Sequence, residues 1–312
     1  LRIIHGQVLP SCLRVWHVTD GSCSYIRGRH ALVTDGLGKR LMGPPAALPY
    51  PNIDPVIVAL GPVQLRWYGL MYLIGLTTAY FLIQRKVARK ELPIRPDQVY
   101  DMVVYAAFGV FLGGRIGYTL FYNFSYYSQN PLKLLAVWEG GMSFHGGLLG
   151  TIIALIWFSQ KQGIPAYTVA DLAACVTPIG LGCGRIGNFI NGELFGRATD
   201  AAWCMVFPGG GPACRHPSQL YEATLEGLTL FTVLWWIDRR PTPPGTLFWT
   251  FITGYGTSRL IVELFREPDQ HLGFIFGPIT MGQILSIPMV LVGALMLILG
   301  YYKASPTYSP TK

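Results

Sequence analysis

Residues 278–302 read PITMGQILSIPMVLVGALMLILGYY, a stretch without a single Asp, Glu, Lys or Arg. A helix needs about 20 mostly apolar residues to cross the hydrocarbon core of a bilayer. This stretch is long enough and apolar enough to do so. It therefore predicts a transmembrane helix near the end of the chain.

The composition of the whole chain agrees with a membrane protein. Charged residues make up 13% of the 312 residues, hydrophobic residues 51%, and the mean hydropathy is +0.37, whereas soluble domains carry about 25% charged residues. This balance argues against a soluble enzyme, a disordered chain and a disulfide-stapled secreted module. The net charge is +8. The sequence contains no basic patch with interleaved aromatic residues, so no nucleic-acid partner is predicted.

Seven apolar stretches have the length and composition of spans, which predicts an all-α, polytopic membrane protein with about seven transmembrane helices. The predicted spans are Val63–Ile83, Val99–Tyr122, Gly141–Phe158, Tyr167–Ile190, Gln219–Ile237, Gly245–Phe265 and Pro278–Tyr302.

Lysine and arginine in the connections predict the orientation, because cytoplasmic loops carry an excess of both. Ten lie on the side reached after the first, third, fifth and seventh spans, and four lie on the other side. The ten-residue side is therefore predicted to be cytoplasmic. The start of the first helix is then on the outer side of the membrane, and the C-terminus is on the cytoplasmic side.

The first 41 residues do not fit this pattern. They would place six further basic residues outside, and they contain no apolar core long enough for a signal peptide. We expect residues 1–41 to be a non-native or disordered N-terminal extension. Residues 42–312 are then the seven-helix membrane domain.

The cysteines predict no metal site. The chain has six cysteines, none in a CxxC pair and none in a cluster with histidine at metal-ligand spacing. Cys204 and Cys214 share the loop after the fourth predicted span. A disulfide and two free thiols both remain open for this pair.

Polar residues inside the spans are the candidates for function, since each buried charge needs a partner, a water-filled cavity or a role. Residues 180–197, GLGCGRIGNFINGELFGR, contain Arg185, Asn188, Asn191, Glu193 and Arg197 among six glycines. The glycines permit either close helix approach or a break in the helix. A polar helix end packed through small residues is the alternative to a binding site, and the density of polar groups favours the site.

A second polar segment lies in the sixth span. Residues 255–266, YGTSRLIVELFR, place Tyr255, Arg259, Glu263 and Arg266 on one stripe of a helix. For Glu263, the alternative to a functional role is a purely structural ion pair with Arg259. Arg259 is the stronger candidate because its planar guanidinium can hold a carboxylate and a ligand together.

Three further residues are single candidates. His145 lies between glycines near the outer end of the third span, where a base and a packing residue are equally consistent with the sequence. Glu222 faces an apolar bundle. Tyr68, just inside the first span, has the position of an interfacial belt residue.

The predicted topology places the candidate residues in the outer half of the membrane. They are Tyr68, His145, Arg185, Glu193, Glu222 and Arg259. Arginines, carboxylates, a histidine and a tyrosine together suit an anionic headgroup held by arginine, with a base nearby. A lipid or anion transporter or flippase that uses the same intramembrane arginines is the alternative. Neither a Ser-His-Asp arrangement nor a metal-ligand set is present in the sequence.

The chain from about Asp54 to Tyr302 resembles the prolipoprotein diacylglyceryl transferase family. The resemblance is carried by a series of blocks in the order of the family, of which residues 184–197 are the most specific. The blocks are RWYGLMYLIG (66–75), FLGGRIGYTLFYN (111–123), WEGGMSFHGGLLG (138–150), GRIGNFINGELFGR (184–197), RHPSQLYEA (215–223), GYGTSRLIVELFREPD (254–269) and ITMGQILSIP (279–288).

The resemblance implies a seven-helix enzyme of the bacterial inner (cytoplasmic) membrane. Such an enzyme transfers the diacylglyceryl group of phosphatidylglycerol to the lipobox cysteine of a prolipoprotein, forms a thioether and releases glycerol phosphate. The implied partners are phosphatidylglycerol, lipobox peptides and membrane lipids. No metal or diffusible cofactor is implied, because the lipid is itself the donor.

The resemblance also implies the residues of the site. His145, Arg185, Arg259, Tyr68 and Glu222 are expected to be catalytic. The residues expected to bind phosphatidylglycerol are Arg185, Asn188, Glu193, Gly196, Tyr255, Arg259 and Glu263. In this hypothesis the two arginines clamp the phosphate, Glu193 and Glu263 hold the arginines, and His145, Glu222 or the departing phosphate takes the thiol proton. A phospholipase-like hydrolase, with water in place of the thiol, is a further alternative.

Overall fold

The computed structural model describes residues 47–61, 63–89, 92–136, 140–268, 274–276 and 279–304, and these residues are mostly helical. The predicted extension 1–41 lies outside them, so the boundary before residue 42 stays a prediction. The helices are α1 (Trp67–Arg89), α2 (Pro96–Phe121), α3 (Phe124–Gln129), α4 (Phe144–Gln162), α5 (Ala166–Asn191), α6 (Ser218–Glu222), α7 (Leu230–Asp238), α8 (Thr246–Val262) and α9 (Met281–Ala304). A 3-10 helix covers Pro131–Leu135, and a π-helical segment covers Ala223–Thr229 between α6 and α7.

Each of the seven predicted spans contains a helix, and in two of them a short strand precedes the helix. Strand β2 (Val63–Arg66) pairs with β1 (Val56–Leu60) in an antiparallel hairpin, so α1 starts at Trp67. At the other end of the chain, β4 (Ile279–Thr280) pairs with β3 (Phe274–Phe276) before α9 begins. In both places an apolar run is shared between a short strand and a helix, which hydropathy alone does not separate.

Three helices of the described residues are long and apolar enough to cross a membrane by length and composition. They are Pro96–Phe121, Ala166–Asn191 and Met281–Tyr302. Many large apolar side chains on the helices are exposed, among them Phe108, Leu112 and Leu291. Exposed apolar surface of this extent marks a surface that contacts lipid or another protein.

Close contact between α2 and α4 is made through glycines. Gly109, Gly113 and Gly117 recur every fourth residue on α2 and lie against Gly146 and Gly150 of α4. A Cβ atom on Gly117 would lie 2.7 Å from the Cα of Gly146. Small residues at this spacing let two helix backbones approach each other in a membrane.

Helix α5 runs unbroken to Asn191, so its glycines serve close approach and not the helix break that the sequence also permitted. Gly180 lies against Gly75 of α1, and Gly182 lies against Gly227 of the π-helical segment. Helix α5 is thereby in contact with α1 on one side and with the π-helical segment on another. This brings the polar end of α5 close to the polar residues of both neighbours.

An apolar core lies at the end of the bundle where α1 leads into α2 and α4 leads into α5. Val99, Phe158 and Leu172 are almost fully buried there. At the same end, the carboxylate of Asp171 accepts hydrogen bonds from the backbone N–H groups of Gly245 (2.7 Å) and Phe248 (2.8 Å). Asp171 therefore caps the start of α8, which helps to fix α8 against α5.

Arg115 has a structural role within α2. Its buried guanidinium donates hydrogen bonds to the backbone carbonyl oxygens of Lys133 (2.6 Å), Leu134 (2.9 Å) and Ala136 (2.9 Å), and also to Gly140. It also lies over the ring of Tyr127. Arg115 thus holds the loop that precedes α4.

Candidate functional site

The candidate site is a cluster of buried charges at the end of the bundle opposite the apolar core. Carboxylates and arginines from α5, from α6 with the π-helical segment, and from the end of α8 pair with one another there. Its members are Arg185, Glu222, Glu226, Arg259, Glu263 and Arg266. These positions lie up to 81 residues apart in the sequence, so only the fold brings them together.

Arg259 is at the centre of the cluster. Its guanidinium donates one hydrogen bond of 2.5 Å to Oε1 of Glu222 and another of 2.6 Å to Oε1 of Glu263. Its side chain is 10% exposed, whereas that of Glu222 is fully buried. The structure thus confirms the predicted contact between Arg259 and Glu263, and it adds Glu222 as a second partner.

Arg185 reaches the same carboxylates from α5. Its Nε lies 3.3 Å from Oε2 of Glu222, and one terminal nitrogen, Nη2, lies 3.5 Å from Oε2 of Glu226. The other terminal nitrogen, Nη1, has no hydrogen-bond partner among the described residues. With its side chain 17% exposed, Arg185 retains a donor for a ligand.

Glu263 connects the cluster to the start of α9. Its Oε2 accepts a hydrogen bond of 2.9 Å from the hydroxyl of Thr280, and its Oε1 lies 3.5 Å from a terminal nitrogen of Arg266. Helix α8 ends at Val262, so Glu263 and Arg266 occupy the turn after it. Pairing of this kind offsets part of the large desolvation penalty of the buried charges.

Glu193 has partners other than the predicted ones. Its Oε1 accepts hydrogen bonds from the side-chain amides of Asn188 (2.8 Å) and Asn191 (3.0 Å). In the described residues Glu193 therefore binds asparagines, whereas the sequence analysis expected it to bind an arginine. The reason is local: Gly192 ends α5 with a left-handed turn, which folds Glu193 back onto the last turn of its own helix. The backbone carbonyl of Glu193 accepts a hydrogen bond of 2.6 Å from Gln219.

Gly196 lies where two segments cross. Its backbone N–H donates to the carbonyl of His216 (2.8 Å), and a Cβ atom would lie 2.5 Å from the carbonyl oxygen of Phe265. No side chain larger than hydrogen fits this crossing without displacing backbone. In the structure Gly196 therefore acts by allowing this approach.

The two predicted site tyrosines, Tyr68 and Tyr255, pack against different elements. The ring of Tyr68 lies against Gly187 of α5, and its hydroxyl is 3.2 Å from that of Tyr72. Tyr255 stacks on Phe251 and packs against the apolar cluster around Leu234. Among the described residues, neither hydroxyl hydrogen-bonds to an arginine.

His145 is not bonded to the charged cluster within the described residues. It is the second residue of α4, its side chain is exposed, and its ring contacts Phe144 edge-on. No hydrogen bond or ion pair within the described residues links it to Arg185 or Arg259. Its ring nitrogens are therefore accessible to a substrate.

The segment between α5 and α6 covers this end of the bundle. A disulfide joins Cys204 and Cys214, which decides between the two states that the sequence left open. His216, whose pKa is lowered by burial, shares a hydrogen bond of 3.0 Å with the hydroxyl of Tyr221, which also accepts one from Trp203. The segment is thus anchored to the first turn of α6.

Glu226 is the member of the site that the sequence analysis did not single out. It follows Glu222 by one helical turn in an otherwise apolar segment, and a second carboxylate at that spacing was a usable signal. Thr280, which binds Glu263, and Gln219, which binds Glu193, have no comparable signal in the sequence. In the described part of the chain, no group of three or more His, Cys, Asp or Glu side chains is placed to hold a metal ion.

The fold and the site together define a helical membrane protein with a paired arginine and carboxylate cluster at one end of its bundle. The chain belongs to the prolipoprotein diacylglyceryl transferase family, whose model matches residues 55–299.

Curated relatives support the same family. The chain is 55% identical over 250 residues to the phosphatidylglycerol–prolipoprotein diacylglyceryl transferase of Geobacter sulfurreducens. The alignment covers 80% of this chain and 96% of the relative. It is 53% identical over 252 residues to the protein of the same name from Vibrio atlanticus, covering 81% and 92%. It is 52% identical over 260 residues to that from Brucella anthropi, covering 80% and 92%.

Proposed function

We propose that this chain transfers the diacylglyceryl group of phosphatidylglycerol to a cysteine thiol of prolipoproteins, the first step of bacterial lipoprotein maturation. The observation that carries the proposal is the family match over residues 55–299, which includes every element that supplies the charged cluster. The names of the relatives state the same two substrates.

The reaction forms one bond and breaks one. The cysteine sulfur attacks the glyceryl carbon that carries the phosphate, a C–S bond forms, and the C–O bond breaks with its electron pair on the phosphate oxygen. Negative charge therefore grows on the departing glycerol phosphate. Preorganised cationic donors at that oxygen lower the barrier, because they are already in place when the charge develops.

Arg185 and Arg259 are the donors that we assign to this step. Glu222 lies between them and holds both guanidinium groups, at 3.3 Å and 2.5 Å. Glu263 fixes Arg259 from the other side. Arginine suits the role because its planar fork binds phosphate oxygens in pairs.

The thiol proton needs an acceptor, since a free thiol has a pKa of about 8.5 and only the thiolate is a good nucleophile. We assign this role to His145, whose exposed ring is not engaged by the charged cluster. Glu222 is a weaker candidate because both its oxygens face arginines. The departing phosphate is the third candidate.

The remaining residues hold the donor lipid or the site around it. Asn188 and Glu193 form one hydrogen-bonded unit beside Arg185, and we expect them to orient the headgroup. Tyr68 and Tyr255 are expected to contact the lipid. Gly196 keeps the covering segment close to the end of α8. The lipid supplies the transferred group, so the reaction as proposed involves no metal or diffusible cofactor.

We further propose that seven helices cross the bacterial inner membrane, with the start of α1 outside and the C-terminus in the cytoplasm. The helical stretch in each predicted span supports the count. The disulfide between Cys204 and Cys214 supports an outer position for the segment after α5, because disulfides persist in oxidising compartments. In this orientation the charged cluster faces the side on which the substrate cysteine is exposed.

The test uses the full chain, phosphatidylglycerol and a peptide that contains a lipobox cysteine. Mass spectrometry is expected to show a diacylglyceryl adduct on the peptide, absent when the cysteine is replaced by serine or when phosphatidylethanolamine is the only lipid. Release of glycerol phosphate without peptide would instead support the hydrolase. Movement of lipid across vesicles with no adduct would support the transporter, and either result would overturn the proposal.

A further inference from the structure

Four side chains form an inner square in the charged cluster: Arg185, Arg259, Glu222 and Glu226. Each carboxylate faces both arginines, and both carboxylates are fully buried. Two positive and two negative charges balance in this square. Glu263 adds a further negative charge to Arg259, and Arg266 lies beside Glu263 to offset it.

The two carboxylates of the square are held unequally. Glu222 approaches Arg259 to 2.5 Å and Arg185 to 3.3 Å. Each carboxylate has one oxygen without a hydrogen bond within the described residues, Oε2 of Glu222 and Oε1 of Glu226. Glu226, however, comes no closer than 3.5 Å to Arg185 and 3.9 Å to Arg259. Glu226 is thus the carboxylate whose negative charge is least stabilised by hydrogen bonds.

The backbone around Glu226 sets this geometry. Glu226 lies in the π-helical segment Ala223–Thr229, and Gly227 beside it touches Gly182 of α5. The wider turn places Glu226 between α5 and α8 without an ideal hydrogen bond to either. Such single-turn π segments are frequent at functional sites.

Binding of the donor lipid disturbs the charge balance. A phosphodiester brings one negative charge to the arginines, which are already matched by Glu222 and Glu226. An unbalanced negative charge in a buried site is costly, and the usual relief is that a carboxylate takes up a proton. The carboxylate with the weakest contacts loses least on protonation, and this is Glu226.

We propose that Glu226 is a positioning residue that takes up one proton when the phosphodiester binds to Arg185 and Arg259. The inference rests on the proposed function. The proton comes from water, converts the carboxylate to the acid, and returns to water when glycerol phosphate leaves; no bond of the lipid changes in this step. The ionisable groups that face Glu226 are Arg185 from α5, Glu222 from α6, and Arg259 and Tyr255 from α8.

The direction of the pH dependence follows from linkage. Because binding takes up a proton, the affinity for phosphatidylglycerol falls as the pH rises. Glu226→Gln resembles the protonated side chain in shape and charge. We therefore expect E226Q to bind phosphatidylglycerol at least as tightly as the wild type, with an affinity that does not change with pH.

The direct measurement is calorimetry of phosphatidylglycerol binding in two buffers with different heats of ionisation. The difference in observed heat gives the number of protons taken up. We expect about one proton per lipid bound for the wild type and none for E226Q. Glu226→Asp, which keeps a titratable group, should retain part of the uptake, and the exposed Asp97→Asn serves as a control for loss of a carboxylate elsewhere.

Kinetics add a readout that a merely structural ion pair would not give. We expect E226Q to keep or lower the KM for phosphatidylglycerol and to flatten its pH profile. In contrast, Glu222→Gln should raise KM, because it removes the negative charge from the 2.5 Å contact that fixes Arg259. A rise in KM for E226Q as large as that for E222Q would overturn the inference.

The outcomes separate this inference from the proposed function. If the wild type makes the diacylglyceryl adduct but takes up no proton on binding lipid, the role of Glu226 is refuted and the function stands. Proton uptake that persists in E226Q refutes it as well. If E226Q does not fold, absence of proton uptake in the wild type still refutes the role of Glu226, and the reduced uptake expected for E226D tests the assignment.

Discussion

At the scale of single residues, Arg185 has the most demanding geometry. It faces two buried carboxylates with two of its nitrogens while a third remains for a ligand. An ammonium group cannot reproduce this fork, since lysine is a single point charge. Replacement of Arg185 by lysine should therefore reduce activity, as replacement by alanine should.

We predict that Arg185→Lys and Arg185→Ala each lower kcat/KM for phosphatidylglycerol by about 100-fold or more, the loss typical of removing one transition-state donor. The measurement is adduct formation at varied lipid concentration. Arg95→Ala, at an exposed arginine that pairs with Asp97, is the matched control and should be unaffected. Near-normal activity in R185K would remove the clamp from the mechanism.

For His145 we predict a separation of binding from turnover. His145→Gln keeps a polar side chain of similar size but cannot accept the thiol proton. We expect a loss of about 100-fold or more in kcat, the range of general base catalysis, with phosphatidylglycerol affinity unchanged. Parallel measurement of lipid binding and adduct formation checks this, and full turnover in H145Q would assign the proton to the phosphate or to Glu222.

Gly196 should be sensitive for a steric reason. A methyl group there would lie 2.5 Å from the carbonyl oxygen of Phe265 and 2.7 Å from the Cβ of His216. We predict that Gly196→Ala destabilises the protein by about 1–3 kcal/mol, the usual cost of overpacking, and lowers activity with it. Gly209→Ala, in the same segment but with no atom nearer than 3.9 Å, is the control in thermal unfolding.

At the scale of elements, the contact between α2 and α4 depends on glycine. Gly109, Gly113 and Gly117 meet Gly146 and Gly150 with backbone against backbone. The every-fourth-residue spacing is readable from the sequence, and it is the spacing at which small residues let membrane helices approach. His145 lies beside this contact, so the position of α4 affects the proposed base.

We predict that Gly113→Ala separates α2 from α4 and costs about 1–3 kcal/mol of stability. The Cβ would lie 2.8 Å from the Cα of Gly150, whereas on Gly300 of α9 it would meet nothing within 4 Å. Gly300→Ala should therefore be neutral or slightly stabilising. Thermal unfolding of both variants in detergent is the measurement, and equal melting temperatures would refute the steric argument.

At the scale of the whole molecule, the proposed topology places the two ends of the bundle on different sides of the membrane. The charged cluster lies at one end, and the Asp171 cap with the Lys86–Asp238 ion pair of 2.8 Å lies at the other. Basic residues concentrate in the connections of the second end. The positive-inside rule assigns that end to the cytoplasm.

We predict that a cysteine introduced at Asp200 reacts with a membrane-impermeant maleimide in intact spheroplasts, and that one introduced at Arg95 reacts only after the cells are opened. Both side chains lie in connections between helices. Labelling of the same positions after permeabilisation controls for accessibility. The reverse pattern would invert the topology and place the charged cluster on the cytoplasmic side.

Much of the site was predictable because intramembrane charges are rare. Arg185, Arg259 and Glu263 stood out as charged residues in apolar segments, and the structure joins them in one cluster. Asn188 and Glu193 stood out as well, but the partners of Glu193 did not. A side chain at a helix end can fold back on its own helix or reach across, and the sequence carries no signal for that choice.

The sequence by itself determined the class of the protein, the helical segments and the residue types of the site, because hydropathy and rare buried charges are local properties of the chain. The tertiary structure decided which charges meet. Glu226 pairs with Arg185 across 41 positions, and Glu263 is held by Thr280 across 17. Such pairings depend on the rotation and spacing of whole helices, here set by glycine contacts along α5 and by the π-helical segment, and those are properties of the assembled bundle.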